Sequence, residues 1–85
     1  GQYSEKIKVK SMSFRKFPAG LTFDTHVAPC KQYIIYLEGE VEVTTSDNEK
    51  LIFKAGDVLL ANDLHGKGHI TKTLTSGTSI IIQVE

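Results

Sequence analysis

Apolar and polar residues alternate over short stretches of this chain, and glycine, proline and asparagine separate the stretches. Residues 40–44 alternate strictly, the polar stretch 46–49 predicts a hairpin turn, and residues 50–54 return as the second strand of a β-hairpin. No stretch of about a dozen residues carries an apolar stripe at helical spacing. The pattern therefore predicts an all-β barrel or sandwich. Its short strands are predicted over residues 7–14, 21–26, 32–37, 40–44, 50–54, 58–60, 69–74 and 78–84.

Two of these strands have distinctive patterns. The strand over 32–37 is apolar at consecutive positions, which predicts a central strand that is covered on both faces. Ile7–Lys10 alternates apolar and basic residues, which indicates an edge strand whose lysines face water. A change of phase between Lys10 and Met12 predicts a β-bulge in this first strand.

Length and composition exclude several classes of protein. The chain has 85 residues, so we expect one domain over 1–85. Its 10 Lys and Arg balance its 10 Asp and Glu, so we expect no nucleic-acid partner, because nucleic-acid-binding domains are usually basic. The longest apolar run, Tyr33–Leu37, is too short to cross a membrane, and we expect no membrane partner. The single cysteine, Cys30, excludes an intrachain disulfide and favours a cytoplasmic protein.

Charge is distributed unevenly along the chain. Residues 1–16 hold five basic side chains and one acid, whereas residues 38–49 hold five acids and no base. One interpretation is that these are solvated edge strands that resist aggregation. The other is that a basic strand of one copy pairs with an acidic strand of a second copy. We expect a homodimer that forms through the basic first strand.

A regular spacing of glycine, histidine and glutamine occupies residues of about 20–39. Gly20 is followed after five residues by His26, and His26 after one residue by Ala28. Gln32 follows after three more residues, and Gly39 after six. This spacing resembles the first motif of the cupin family, which has histidine at the position of Ala28 and glutamate at the position of Gln32.

The segment of about 56–73 resembles the second cupin motif, although less completely. Gly66, His69 and Thr73 match its Gly-x2-His-x3-Asn half, and Leu64 stands in the place of a proline. The resemblance to cupins implies a small jelly-roll β-barrel whose interior is a small-molecule pocket.

The chain also resembles a subgroup of small cupins whose activity is poorly defined. The stretches that carry this resemblance are 26–32, 56–60 and 66–71. In that subgroup alanine and glutamine at these two ligand positions are the rule, so the departures at Ala28 and Gln32 need not mean a decayed site.

Through the resemblance, His26, Gln32 and His69 are the candidate metal ligands. With Ala28 in place of a histidine, this set offers two imidazoles and an amide oxygen but no anionic ligand. We expect either one divalent transition metal (Fe, Mn, Ni or Zn) or, where the departures at Ala28 and Gln32 abolish the site, no metal. A hydrogen bond between His26 and Gln32 is the alternative that satisfies both side chains without an ion.

Further residues are expected around the same pocket. Ile34 and Tyr36 share a strand face with Gln32, because side chains two residues apart point to the same side. The expected pocket-lining residues are Ala28, Ile34, Tyr36 and His65, the last at the rim. Cys30 has no demonstrated base beside it, so no catalytic residue is identified.

Three functions stay open at the level of sequence. The first is a metal-dependent enzyme that acts on a small organic molecule. The second is a metal-free pocket that binds a small ligand without catalysis. The third is a structural module whose histidines are core residues. A fold resemblance does not choose among them, because one fold hosts many activities.

Overall fold

The computed structural model describes residues 2–26, 31–45, 47–61 and 69–85 of the chain. Within these residues the secondary structure consists of strands, which confirms the all-β prediction. The strands are β1 (Val9–Phe17), β2 (Thr22–His26), β3 (Gln32–Glu38), β4 (Glu40–Thr44), β5 (Lys50–Lys54), β6 (Val58–Ala61), β7 (His69–Thr73) and β8 (Gly77–Val84).

The strands form two antiparallel four-stranded sheets that pack face to face. The first sheet has the order β1-β8-β3-β6, and the second has the order β2-β7-β4-β5. The chain passes from one sheet to the other at every connection except the β4–β5 hairpin, so strands distant in sequence become neighbours. This is the arrangement of a jelly roll, as the resemblance implied.

The first strand behaves largely as its pattern predicts. β1 is an edge strand of the first sheet, and its register with β8 shifts between Val9 and Ser11, where the bulge was predicted. The acidic strand β4 is different, because it lies between β7 and β5 and both of its edges are paired. A basic edge of one copy therefore cannot pair with β4 of a second copy, and the expected homodimer through the basic first strand stays a prediction.

Alternation along β4 directs its valines into the space between the sheets. Val41 and Val43 are buried, and they form a core cluster with Phe17 and Tyr36. The rings of Tyr36 and Phe53 lie 5.6 Å apart between centroids, which joins β3 to β5 across the sandwich. The core is therefore built from both sheets, as an alternating pattern on each requires.

The outer face of the first sheet differs from the sequence prediction. The strand β3 is central, as expected, but in the described part of the chain no layer covers its outer side. Phe14 and Met12 on the same face are 65% and 57% exposed, and Val58 and Leu60 are 53% and 44% exposed. The continuous apolar run in β3 arises because one face packs against the other sheet while the opposite face forms an apolar surface.

The connection from β1 to β2 is held by the end of β7. Thr73 is buried, and its backbone carbonyl accepts a hydrogen bond from the Gly20 N–H at 2.8 Å. The Thr73 N–H donates in turn to the Leu21 carbonyl at 2.8 Å. Gly20 has φ of 83°, a left-handed conformation that glycine adopts without strain. This turn carries the chain from the first sheet to the second beside the space between them.

No helix of the length and apolarity needed to span a bilayer occurs among the described residues.

Candidate functional site

A cavity of about 130 Å³ lies between the two sheets. Its wall combines apolar side chains with polar ones that come from both sheets. Its polar side chains include Arg15, Gln32, Tyr36, His69 and Thr71.

The central strand β3 supplies one side of this cavity. Gln32, Ile34 and Tyr36 all line it, as predicted from their spacing of two residues. Ile81 and Ser79 of the neighbouring strand β8 lie opposite Ile34 and Tyr36 in the register and also line the wall. The spacing predicted that these three residues share one face, and the motif resemblance at Gln32 predicted that this face is turned toward the pocket.

The strand β7 supplies the opposite side. His69, Thr71 and Thr73 alternate along it and line the cavity, and His69 is half-buried. The backbone register places His26 of β2 opposite His69. The two histidines named by the motifs are thus brought to adjacent strands by the fold, although they are distant in sequence.

Several predicted site residues lie outside the described residues. Ala28 belongs to 27–30, and His65 belongs to 62–68. The expected hydrogen bond between His26 and Gln32 involves a histidine side chain that is also outside the described part. The proposed roles of these residues stay predictions.

Arg15 is a cavity residue that sequence reasoning missed. It lies on β1, is exposed, and also lines the cavity, which places it at the cavity mouth. Its guanidinium carbon lies 4.2 Å from the centroid of the Phe23 ring, a cation–π contact between the first and second sheets. The sequence held one signal for this position: Arg15 is two residues from the buried Phe17, and residues at that spacing lie on the same face of β1.

Burial changes the acidity of the tyrosine in the wall. Desolvation raises the pKa of Tyr36 to about 12, and the positive charge of Arg15 acts in the opposite direction. The phenol is therefore neutral throughout the physiological range and presents a hydroxyl group to the cavity.

The donor set can be tested against a divalent metal ion. Among the described side chains no group of three or more His, Cys, Asp or Glu is placed to hold an ion. The described polar wall instead combines the amide of Gln32 and the imidazole of His69 with the cationic Arg15. Divalent cations favour anionic or several imidazole ligands, so this part of the wall does not fit one.

Comparison with known proteins identifies the architecture. No protein-family model matches the sequence, and a search of curated proteins finds no match.

Solved structures do match, and three of them are as follows. A cupin-2 domain protein from Shewanella frigidimarina has a TM-score of 0.69 at 16% identity, covering 100% of this chain and 85% of that one. An RmlC-like cupin from Desulfovibrio desulfuricans has a TM-score of 0.66 at 20% identity, covering 96% and 76%. A predicted oxalate decarboxylase from Thermotoga maritima has a TM-score of 0.65 at 22% identity, covering 92% and 69%.

The chain has the cupin fold. The resemblance carried by the two motifs is thereby confirmed at the level of the fold. At 16–22% identity the likeness does not extend to an activity. The cavity wall is therefore the feature from which a function can be inferred, and its described side chains include an arginine, a histidine and an amide.

Proposed function

We propose that this cupin domain binds a small organic molecule in the cavity between its sheets. The observation that carries the proposal is the composition of the wall, which combines an apolar surface with convergent polar groups. Ile34 and Ile81 contribute apolar surface, and Gln32, Tyr36 and Thr71 contribute hydrogen-bonding groups. Small-molecule sites in proteins are typically apolar cavities with a few polar groups that orient the ligand.

The size of the cavity limits the ligand. A cavity of about 130 Å³ is slightly smaller than one of about 150 Å³ that holds benzene. The ligand, or the part of it that enters, therefore has about six non-hydrogen atoms. Because the cavity has an exposed residue, Arg15, at its mouth, a larger ligand would extend into solvent there.

A metal-dependent enzyme is the second candidate. The observation that favours it is the register that sets His26 opposite His69 on adjacent strands. In this alternative, His26, Gln32 and His69 would hold an Fe, Mn, Ni or Zn ion, and the ion would supply Lewis-acid chemistry for a small organic substrate. We rank it second because the described wall adds a positive charge, from Arg15, to a set of neutral ligands.

The cytoplasmic location expected from the single cysteine stays a prediction.

The proposed cavity function is tested by filling the cavity. We expect at least one of isobutyrate, isobutyramide, isobutylamine and phenol to bind the wild-type chain at millimolar concentration, as followed by amide chemical shifts. Ile34→Trp should abolish this binding, because the indole occupies the cavity. Thr71→Phe fills the same space from β7, and it replaces Ile34→Trp as the cavity-filling variant if Ile34→Trp does not fold.

The matched control is Ile52→Trp. Ile52 is an isoleucine of β5 that is 51% exposed and does not line the cavity, so its replacement adds the same indole without entering the cavity. It should bind the probes as the wild type does. Absence of binding by all four probes, or binding that survives both cavity-filling substitutions, would overturn the proposed function.

A further inference from the structure

We infer that the ligand of this cavity carries a carboxylate, which Arg15 binds; this inference rests on the proposed function. Arg15 is the only charged residue among the described side chains that line the cavity. No described carboxylate lies in the wall to neutralise it. A guanidinium at the mouth of a partly apolar cavity is complementary to an anion.

The contact with Phe23 holds the guanidinium in place. With the guanidinium carbon 4.2 Å from the ring centroid, Arg15 is anchored to β2 of the opposite sheet. An arginine that is already positioned loses less side-chain entropy when it binds an anion. The same charge acts on the buried hydroxyl of Tyr36, where it opposes the effect of desolvation on the pKa. The positive field of Arg15 thus extends into the cavity.

The rest of the wall selects an organic acid over an inorganic anion. Ile34, Val41 and Ile81 give the cavity an apolar surface that a free phosphate would leave uncovered. A short aliphatic chain or small ring fills this surface while its carboxylate meets Arg15. The amide of Gln32 and the hydroxyl of Thr71 then contact any further polar group on the acid. A small organic acid of about six non-hydrogen atoms satisfies both parts of the wall.

The test compares probes of equal shape and different charge. Isobutyrate and isobutyramide differ in charge but hardly in size, and inorganic phosphate carries charge without an apolar body. We expect isobutyrate to bind at least about tenfold more tightly than isobutyramide, since a charge-assisted arginine contact contributes about that factor. Phosphate should bind more weakly than isobutyrate.

Substitution of Arg15 separates this inference from the proposed function. Arg15→Gln should weaken isobutyrate binding about tenfold and leave isobutyramide binding unchanged. The matched control is Lys10→Gln, which removes the same charge from another exposed residue of β1, outside the cavity lining; it should leave both affinities unchanged. If isobutyramide binds as tightly as isobutyrate, or Arg15→Gln has no effect, the carboxylate inference is wrong while the cavity remains a binding site. If phosphate binds as tightly as isobutyrate, the inference that the ligand is an organic acid is wrong.

A different observation points to a second copy of this chain on the outer face of the first sheet. The register aligns Met12, Ile82, Tyr33 and Leu60 in one row across the four strands. A second row consists of Phe14, Ile80, Ile35 and Val58. These two rows contain no charged residue. We propose that this face, defined by the two rows, packs against the same face of a second chain.

The extent of the face fits a small homodimer interface. Four strands of about seven residues, at a spacing of about 4.8 Å, give a projected area of roughly 450 Å². The apolar groove of about 240 Å³ that Ile7 and Val9 help to line extends the face at the N-terminal end of β1. Together they approach the roughly 600 Å² per partner of the smaller specific interfaces. A contiguous apolar surface of this size marks an interaction site on a soluble protein.

Charge complementarity favours a second copy over another protein. A third row crosses the face next to the apolar ones and contains Lys16 on β1, Thr78 on β8 and Glu38 on β3. A two-fold axis parallel to the strands, between β8 and β3, brings Lys16 of each chain toward Glu38 of the other. The same operation superposes the apolar rows, as an isologous contact requires.

The oligomeric state tests this second proposal. We expect the chain to sediment at about twice its mass of 9.4 kDa, and Phe14→Glu to sediment as a folded monomer. The matched control is Ile52→Glu, since Ile52 is an apolar strand residue that is 51% exposed on the other sheet; it should remain dimeric. Lys16→Glu should weaken the dimer, and Lys16→Glu with Glu38→Lys should restore it. A monomeric wild type, or a dimer that survives Phe14→Glu, would overturn the proposal.

Discussion

The Thr73 hydroxyl donates a hydrogen bond to the Pro18 carbonyl at an oxygen–oxygen distance of 2.7 Å. The same oxygen accepts a hydrogen bond from the Leu21 N–H at 2.9 Å. One buried side chain of β7 thus fixes both ends of the turn that leads from the first sheet to the second. Because Arg15 and Phe23 lie on the strands that this turn joins, Thr73 also determines how the cavity mouth is assembled.

Thr73→Val should destabilise the fold by about 1–2 kcal/mol, because it leaves the Leu21 N–H and the Pro18 carbonyl without their partner at a partly buried site. The free energy of unfolding in urea measures this. Thr75→Val is the matched control: its hydroxyl accepts a hydrogen bond from the Glu40 N–H at 2.8 Å, but at an exposed site where water can replace it. Equal losses of stability for the two variants would contradict the role given to Thr73.

Stability should fall at high pH through Tyr36. Its pKa is raised in the folded chain to about 12 from an ordinary value of about 10, so the folded state favours the neutral phenol. The contribution of this neutral phenol to the free energy of unfolding is complete below about pH 10. As the pH rises toward 12, about 2–3 kcal/mol of that free energy is lost. Unfolding measured between pH 9 and about 12 should show this loss in the wild type but not in Tyr36→Phe. Arg15→Gln should raise the pKa of Tyr36 further.

Gly77→Ala should be among the most damaging single substitutions. A methyl group at Gly77 would overlap the backbone carbonyl of Glu38 and the backbone of Gly39, which cannot move aside as a flexible side chain would. Gly20→Ala is the comparison: Gly20 has a left-handed φ, which Gly77 does not have, and an added methyl group at Gly20 meets nothing within 4 Å. We expect a loss of about 1 kcal/mol for Gly20→Ala and several times that for Gly77→Ala. The thermal unfolding midpoint of each variant shows which substitution costs more stability, and a larger loss for Gly20→Ala would contradict this prediction.

Phe23→Leu should weaken carboxylate binding without removing the charge. Leucine retains apolar bulk but offers no ring face to Arg15, so the guanidinium is less well positioned. We expect isobutyrate affinity to fall about two- to fivefold, as calorimetric titration would show. Isobutyramide affinity should stay constant. A parallel loss for both probes would mean that Phe23 shapes the cavity and does not act through Arg15.

Metal content distinguishes the two candidate functions. Protein purified without a polyhistidine tag should contain far less than one Fe, Mn, Ni or Zn per chain by elemental analysis, because the neutral ligands and Arg15 disfavour a divalent cation. His69→Ala should leave this content unchanged. Near-stoichiometric metal that is lost in His69→Ala would instead support the enzyme that uses His26, Gln32 and His69.

Much of the fold was predictable because strand alternation is a local property. The pattern of β4 alone indicates that Val41 and Val43 are buried, and the break after Val9 indicates the bulge in β1. Likewise, Gln32, Ile34 and Tyr36 could be assigned to one face from their spacing. The motif spacing added the connection between β2 and β7, which the register confirms by setting His26 opposite His69.

The rest depended on which strands become neighbours. Local alternation puts Arg15 and Phe17 on one face of β1, but it does not indicate that this face meets Phe23 of the other sheet. Nor does the apolar run in β3 reveal whether its outer face is covered by another layer or is left open beside Phe14. The amino-acid pattern is enough to specify the strands and their two faces, because side-chain direction repeats every two residues. The pairing of distant strands, and with it the charged mouth of the cavity and the open apolar face, follows from long-range packing that no short segment of the chain encodes.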